Sequence, residues 1–173
     1  MGERLLSGGA CPVAVAPRGY GDRDASLRCI GVGLDDSQEA RLALDAAVAL
    51  ASTSGAKIRV ITVFQRLAFG AAATTALPSE SANDAMRREL RAIHDSAIAD
   101  IPEAVAVESR FVDGAADELL VAESEEVDLL VVGSRGYGPL GAVLLGSVST
   151  ALARGAACPI IVTPRDRPFE LSP

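Results

Sequence analysis

Between residues 133 and 150 the chain reads Gly133-Ser134-Arg135-Gly136-Tyr137-Gly138-Pro139-Leu140-Gly141-Ala142-Val143-Leu144-Leu145-Gly146-Ser147-Val148-Ser149-Thr150. Glycines let the backbone take positive φ and let a ligand approach the main chain closely. The segment feeds a helix whose start falls at Gly146-Ser147. Unpaired N–H groups and the helix dipole favour an anion at such a start. Ser147 and Ser149 add hydroxyl donors, and Arg135 adds a positive charge. The combination suits a polyphosphate.

Other chemistry is poorly supplied. Gly136-x-Gly138-x-x-Gly141 has the dinucleotide spacing, but Pro139 interrupts it and Thr163, not an acid, ends the next strand. A P-loop needs Gly-Lys-Ser/Thr, and the sole lysine is Lys57. Ser7-Gly8-Gly9 resembles a pyrophosphatase phosphate loop, yet no strand precedes it. The three cysteines, Cys11, Cys29 and Cys158, are an odd count without Cys-x-x-Cys spacing. They read as small buried hydrophobes in a reducing compartment, not as a zinc site or disulfide scaffold. His94 is the single histidine. It cannot build a histidine-rich metal site or a supported triad, and it reads as a helix-surface residue.

The elements that must hold the glycine loop follow from periodicity. Arg28 to Leu34 is a short buried strand. Asp36, with Glu39 three residues on, has capping-box spacing, so Asp36 is the expected cap of a helix. Ala40, Ala43, Ala47, Leu50 and Ala51 form its inner face, and Gly55 ends it. Lys57 to Phe64 is a β-branched strand, followed by a loop over 65–78. Residues 80–100 form a helix with Met86, Leu90, Ile93 and Ala97 on one stripe. Val105 to Val112 alternates, as a strand near a sheet edge does. Asp113-Gly114 turns into a helix with Leu119 and Ala122 inward. Val127 to Val132 is a strand, a helix runs from Gly146 to about Gly155, and Pro159 to Thr163 is the last strand.

Strand and helix therefore alternate from residue 27 onward. That order requires a parallel sheet with helices on both faces. Ligands of such sheets sit beyond the carboxyl ends of the strands, at the topological switch point. Two segments fall there: Leu34-Asp35-Asp36-Ser37 and the glycine loop.

The chain of 173 residues is half hydrophobic, at 49%, with a net charge of −7. Disorder is excluded by that hydrophobicity. The negative balance argues against nucleic acid or an anionic membrane as partner. No apolar run approaches the ~18–20 residues of a membrane span. Residues 1–17 lack the unbroken apolar stretch of a secretory signal, because Ser7, Gly8, Gly9 and Pro12 interrupt it.

Residues 1–18 instead match residues 148–165 at an offset of 147, with eight of eighteen positions identical. The shared residues include Cys11-Pro12 with Cys158-Pro159, and Val15-x-Pro17-Arg18 with Val162-x-Pro164-Arg165. Residues 1–26 thus read as the terminal strand of a preceding repeat plus a linker. Residues 27–165 read as one domain and 166–173 as a tail.

Gly133-x2-Gly136-x9-Gly146-Ser147, with Val127-Asp128-Leu129-Leu130-Val131-Val132 before it and Cys158-Pro159-Ile160-Ile161-Val162 after it, resembles the nucleotide-binding pattern of the universal stress protein family. The opening strand and Asp35 are also similar, and the likeness covers about residues 27–165. It implies a Rossmann-like α/β fold with a five-stranded parallel sheet ordered 3-2-1-4-5, as in adenine nucleotide alpha hydrolase-like domains. It implies an adenine nucleotide, ATP or AMP/ADP, with Mg2+ met by Asp35 through water. Asp35 would lie beside the nucleoside and the Val63 backbone at the adenine edge. Gly133 and Gly136 would lie against ribose and phosphates. Gly146, Ser147 and Val148 would hold phosphate with Ser149 assisting, and Arg135 adds its charge. The implied role is a nucleotide-dependent regulatory module in stress response, cytoplasmic, and dimeric through the edge strand 159–163 or the N-terminal strand 12–16. The alternatives are slow ATP hydrolysis or phosphotransfer, and a nucleotide-independent dimerisation scaffold.

Overall fold

A computed structural model describes residues 12–22, 26–66, 80–134 and 146–164. In chain order the elements are β1 (Val13–Val15), a short 3-10 turn (Tyr20–Asp22), β2 (Cys29–Gly33), α1 (Gln38–Ser54), β3 (Lys57–Phe64) and α2 (Glu80–Ala99). There follow β4 (Val107–Asp113), α3 (Ala116–Glu123), β5 (Leu129–Gly133), α4 (Ser147–Gly155) and β6 (Ile160–Thr163). They build an α/β sheet with the strand order β1-β6-β5-β2-β3-β4. The five strands from β2 to β6 are parallel and follow the expected 3-2-1-4-5 order. The sheet has six strands rather than five, because β1 adds antiparallel to β6. The terminal strand is therefore not an edge; β1 and β4 are.

Alternation along the strands feeds two cores. Ile30, Val32, Ile58, Val60 and Val131 pack with the alanine face of α1 and with Ala97 of α2. Cys29, Ile61, Leu130, Val132, Ile160 and Val162 pack with Leu120 of α3 and Leu152 of α4. Small alanines on α1 let the helix lie close to the sheet. Ala40, Ala43, Ala47 and Ala51 are all buried, whereas Leu50 is half-buried. Gly55 closes α1 at φ +74, and its N–H donates to Ala51 O at 2.8 Å.

Three local expectations change. The α1 cap is Ser37 instead of Asp36: Ser37 Oγ accepts from the Ala40 N–H at 3.1 Å. A cap at 37 places N3 at residue 40 and lets Asp35, not Asp36, brace the turn. On α3 the buried residues are Leu120 and Glu123, while Leu119 is half-buried and Ala122 exposed. Glu123 is held inside by ion pairs with Arg59 at 3.3 Å and Arg110 at 2.8 Å. On α2, Met86 is 45% exposed and His94 is fully buried. His94 Nδ1 lies 2.9 Å from Thr62 Oγ1 and Nε2 lies 2.8 Å from Ser109 Oγ. Partners on both ring nitrogens make the burial affordable, and those partners come from β3 and β4. Cys29 and Cys158 are buried free thiols, as expected, and Cys11 lies outside the described residues.

Candidate nucleotide cleft

A cleft opens beyond the carboxyl ends of β2, β3 and β5, at the switch point of the sheet. Connections from β2 run outward to β3 and β4 on one side, and β5 and β6 lie on the other. Asp35, Val63, Gly133, Gly146, Ser147, Val148 and Ser149 all line it. Arg135 and Gly136 lie outside the described residues, as does the rest of the segment 135–145.

On the β2 side the chain makes a braced turn. Leu34 N–H donates to Ile61 O at 2.8 Å, tying the end of β2 to β3. Asp35 Oδ1 accepts from Ser37 N–H at 2.9 Å and from the Ser37 hydroxyl. That same serine caps α1. One residue thus fixes both the helix start and the carboxylate that faces the cleft.

Three helices begin around the cleft, and their starts differ. The start of α1 is satisfied by Ser37. The start of α3 has no side-chain cap but carries Asp117 and Glu118 in its first turn. Among the described residues, the start of α4 has neither a side-chain cap nor an acidic residue in its first turn. A helix start that is uncapped and acid-free presents its N–H groups and positive dipole end to the cleft. An anion in the cleft would be favoured most at the α4 start. The hydroxyl of exposed Ser147 stands at that end, while Ser149 is buried.

Gly133 has a second role. A Cβ placed there would lie 2.6 Å from the Glu39 carbonyl carbon and 2.9 Å from Ala40 N. The glycine is required by the close passage of β5 against the first turn of α1, whatever the cleft binds. Thr163 reinforces that passage by donating to Glu39 O at 3.2 Å. Next in the chain, Ser134 buries its Oγ without a hydrogen-bond partner among the described residues.

The cleft also includes residues that sequence reasoning did not single out. Gln65 extends the end of β3, and Ala116, Asp117 and Leu120 bring in the start of α3. Gln65 follows directly on the strand end and was findable. The α3 start follows the edge strand β4 in the chain, and it reaches the centre only because α3 crosses back over the sheet toward β5. Asp128 has a structural part: its Oδ2 accepts from Arg28 N–H and Cys29 N–H, each at 2.8 Å, and so fixes the start of β2 to β5. His94 does not line the cleft. No group of three His, Cys, Asp or Glu among the described residues could hold a metal ion. No described helix is long and apolar enough to cross a membrane.

Residues 27–164 match the model of the universal stress protein family. Over 140 residues the chain is 29% identical to universal stress protein YxiE of Bacillus subtilis, covering 76% of this chain and 95% of that protein. Among solved structures, a universal stress protein family member from Burkholderia pseudomallei is 31% identical with TM-score 0.62, covering 82% of this chain and 99% of that one. A universal stress protein in complex with cAMP is 30% identical with TM-score 0.53, over the same shares.

Proposed function

This chain belongs to the universal stress protein family, and on that premise we propose that it binds an adenine nucleotide at the switch-point cleft and acts as a nucleotide-dependent regulatory module in stress response. The observation that carries the proposal is the α4 start: uncapped, free of acid, and facing a cleft whose other two helix starts are capped or acidic. A similar protein solved with cAMP supports the choice of adenine nucleotide.

In this reading Gly146, Ser147 and Val148 hold phosphate through backbone N–H groups, with the Ser147 hydroxyl added. Asp35, held by Ser37, accepts from a nucleoside hydroxyl. The Val63 backbone meets the base edge, and Arg135 and Gly136 complete the phosphate side. ATP is the proposed ligand, with AMP or ADP as competitors and Mg2+ as a companion of the polyphosphate near Asp35. The cleft residues described include carboxylates but no histidine or lysine, so binding is proposed rather than efficient hydrolysis, which needs charge neutralisation and an oriented nucleophile. Buried free thiols at Cys29 and Cys158 fit a reducing cytoplasm.

The test is direct. Protein purified without added nucleotide is denatured, and the released small molecules are resolved by anion exchange. ATP, AMP and cAMP are then titrated calorimetrically into wild type and Ser147→Glu. A glutamate in the first turn of α4 favours the helix by about 0.3–1 kcal/mol while repelling a phosphate. Retained melting temperature with at least a tenfold loss of affinity, about 1.4 kcal/mol, is the expected result. Equal affinity in both proteins, or no binding to folded wild type, would overturn the assignment.

A further inference from the structure

Ser109 is exposed on β4, and its Oγ lies 2.8 Å from Nε2 of the fully buried His94 of α2. The other ring nitrogen, Nδ1, lies 2.9 Å from Thr62 Oγ1 of β3, and the Thr62 hydroxyl donates to Leu34 O at 3.0 Å. A hydroxyl has a single proton to donate. Thr62 gives its own to Leu34, so Nδ1–H donates to Thr62, and Nε2 keeps its lone pair toward Ser109. In that tautomer a histidine can draw the proton from a serine hydroxyl.

We propose that Ser109 is a nucleophile that accepts acyl groups from activated esters and thioesters, with His94 as its general base and Thr62 positioning the ring. None of the three lines the nucleotide cleft, so the inference is independent of that reading.

The surroundings suit the role. Phe111, two residues along β4 and on the same face as Ser109, packs edge-on to the imidazole at 5.7 Å between centroids. The Arg91 guanidinium lies 4.1 Å over that ring. His94 is thereby closed to water, and its route to solvent runs through the exposed Ser109 hydroxyl. Burial holds the His94 pKa below 6.5, outweighing Asp95, so the base is unprotonated at neutral pH. The strand edge adds backbone donors. Ile58 N–H donates to Ala106 O at 2.8 Å, and Gly114 N–H donates to Phe64 O at 3.0 Å. Alternate residues of a parallel strand face the same neighbour, so the N–H groups of Ser109 and Phe111 point away from β3. Among the described residues β4 is an edge. A backbone N–H beside the nucleophile can receive the charge that gathers on the attacked carbonyl oxygen.

In the step, Ser109 Oγ attacks the carbonyl carbon while its proton passes to His94 Nε2. An O–C bond forms, the bond to the alkoxide or thiolate breaks, and the leaving group takes the proton from His94. Water hydrolyses the acyl-serine by the same route. Thr62 stands where hydrolases of this type place a carboxylate. The imidazolium is then less stabilised, and turnover is slow.

The experiment treats folded, full-length protein with a fluorophosphonate probe. The serine forms an O–P bond and fluoride leaves, with the serine proton drawn off by His94. Adducts are mapped by peptide mass spectrometry. General-base assistance is worth about 10²–10⁴-fold, so Ser109 should label roughly a hundredfold faster than exposed Ser52 and Ser96 of the same chain. His94→Gln, verified as folded by circular dichroism, should lose that advantage. If it does not fold, the Thr62 variants carry the test: Thr62→Val should slow labelling and Thr62→Ser should preserve it, the reverse of what side-chain shape alone predicts. Nitrophenolate release from 4-nitrophenyl acetate should fall in Ser109→Ala. Labelling of Ser109 no faster than Ser52 and Ser96 would overturn the proposal. Unchanged labelling in folded His94→Gln, or equal ester cleavage by Ser109→Ala, would do the same.

Discussion

Thr62 has one hydroxyl proton, and it goes to Leu34 O at 3.0 Å. The contact between Thr62 and His94 therefore requires His94 Nδ1 to carry the proton, and in the neutral ring Nε2 accepts from the Ser109 hydroxyl. Burial lowers the His94 pKa below 6.5, outweighing the nearby charge of Asp95. A depressed histidine stays neutral in the native state while the unfolded chain takes up a proton as pH falls through about 6.5. Stability should then fall as pH drops from above 7 toward the native pKa. Thermal melts at pH 7.5 and 5.5 should show a smaller drop in His94→Gln than in wild type; equal drops would contradict the neutral assignment. Gly133 gives a second residue-scale prediction. Gly133→Ala forces a methyl group into the backbone of Glu39 and Ala40, and it should cost roughly 1–3 kcal/mol by urea unfolding in nucleotide-free protein. A neutral result would mean the close passage of β5 and α1 relaxes freely.

At the scale of elements, α1 is defined by its two ends. Ser37 caps the start and Gly55, at φ +74, closes it. Loss of an N-cap costs about 1 kcal/mol. Because Ser37 also holds Asp35, Ser37→Ala should lower both stability and nucleotide affinity, whereas Gly55→Ala, strained by about 1 kcal/mol, should lower stability alone. Paired melting and titration experiments distinguish the two, and equal affinities would detach Asp35 from binding. The edge strands show the same economy. β4 carries Glu108, which pairs with Lys57 and Arg59 of β3, and Arg110, which pairs with Glu123 of α3. Such charges discourage strand addition at β4. At the opposite edge, among the described residues, lies the three-residue strand β1.

For the whole molecule, the cleft joins elements from both layers: the α1 start on one face, the α3 and α4 starts on the other, and three strand ends between them. A nucleotide held there contacts the native state alone. At a hundredfold excess over its Kd, such a ligand stabilises by about 2.7 kcal/mol. At roughly 2–4 °C per kcal/mol for a chain of this size, ATP should raise the melting temperature by about 5–10 °C. Ser147→Glu should abolish most of that rise, and an unchanged melting temperature in wild type at millimolar ATP would count against the cleft as a nucleotide site.

The sequence alone determined the alternation of strands and helices and a parallel sheet, and it pointed to the strand-end cleft that seven of the nine candidate residues line. It could do so because these features rest on local periodicity, on glycine at fixed spacing, and on the rule that strand ends at a switch point face a common opening. Only the tertiary structure decided the burial of His94, whose partners Thr62 and Ser109 lie 32 and 15 residues away in sequence. It alone moved the helix cap from Asp36 to Ser37, because capping depends on which side chain meets the Ala40 N–H. It likewise gave Gly133 its steric reason, brought the α3 start into the cleft, and laid β1 antiparallel on β6. Apart from the cap, which is local, each of these depends on contacts between segments distant in the chain, and a hydrophobic pattern cannot state which polar group will find which partner across that distance.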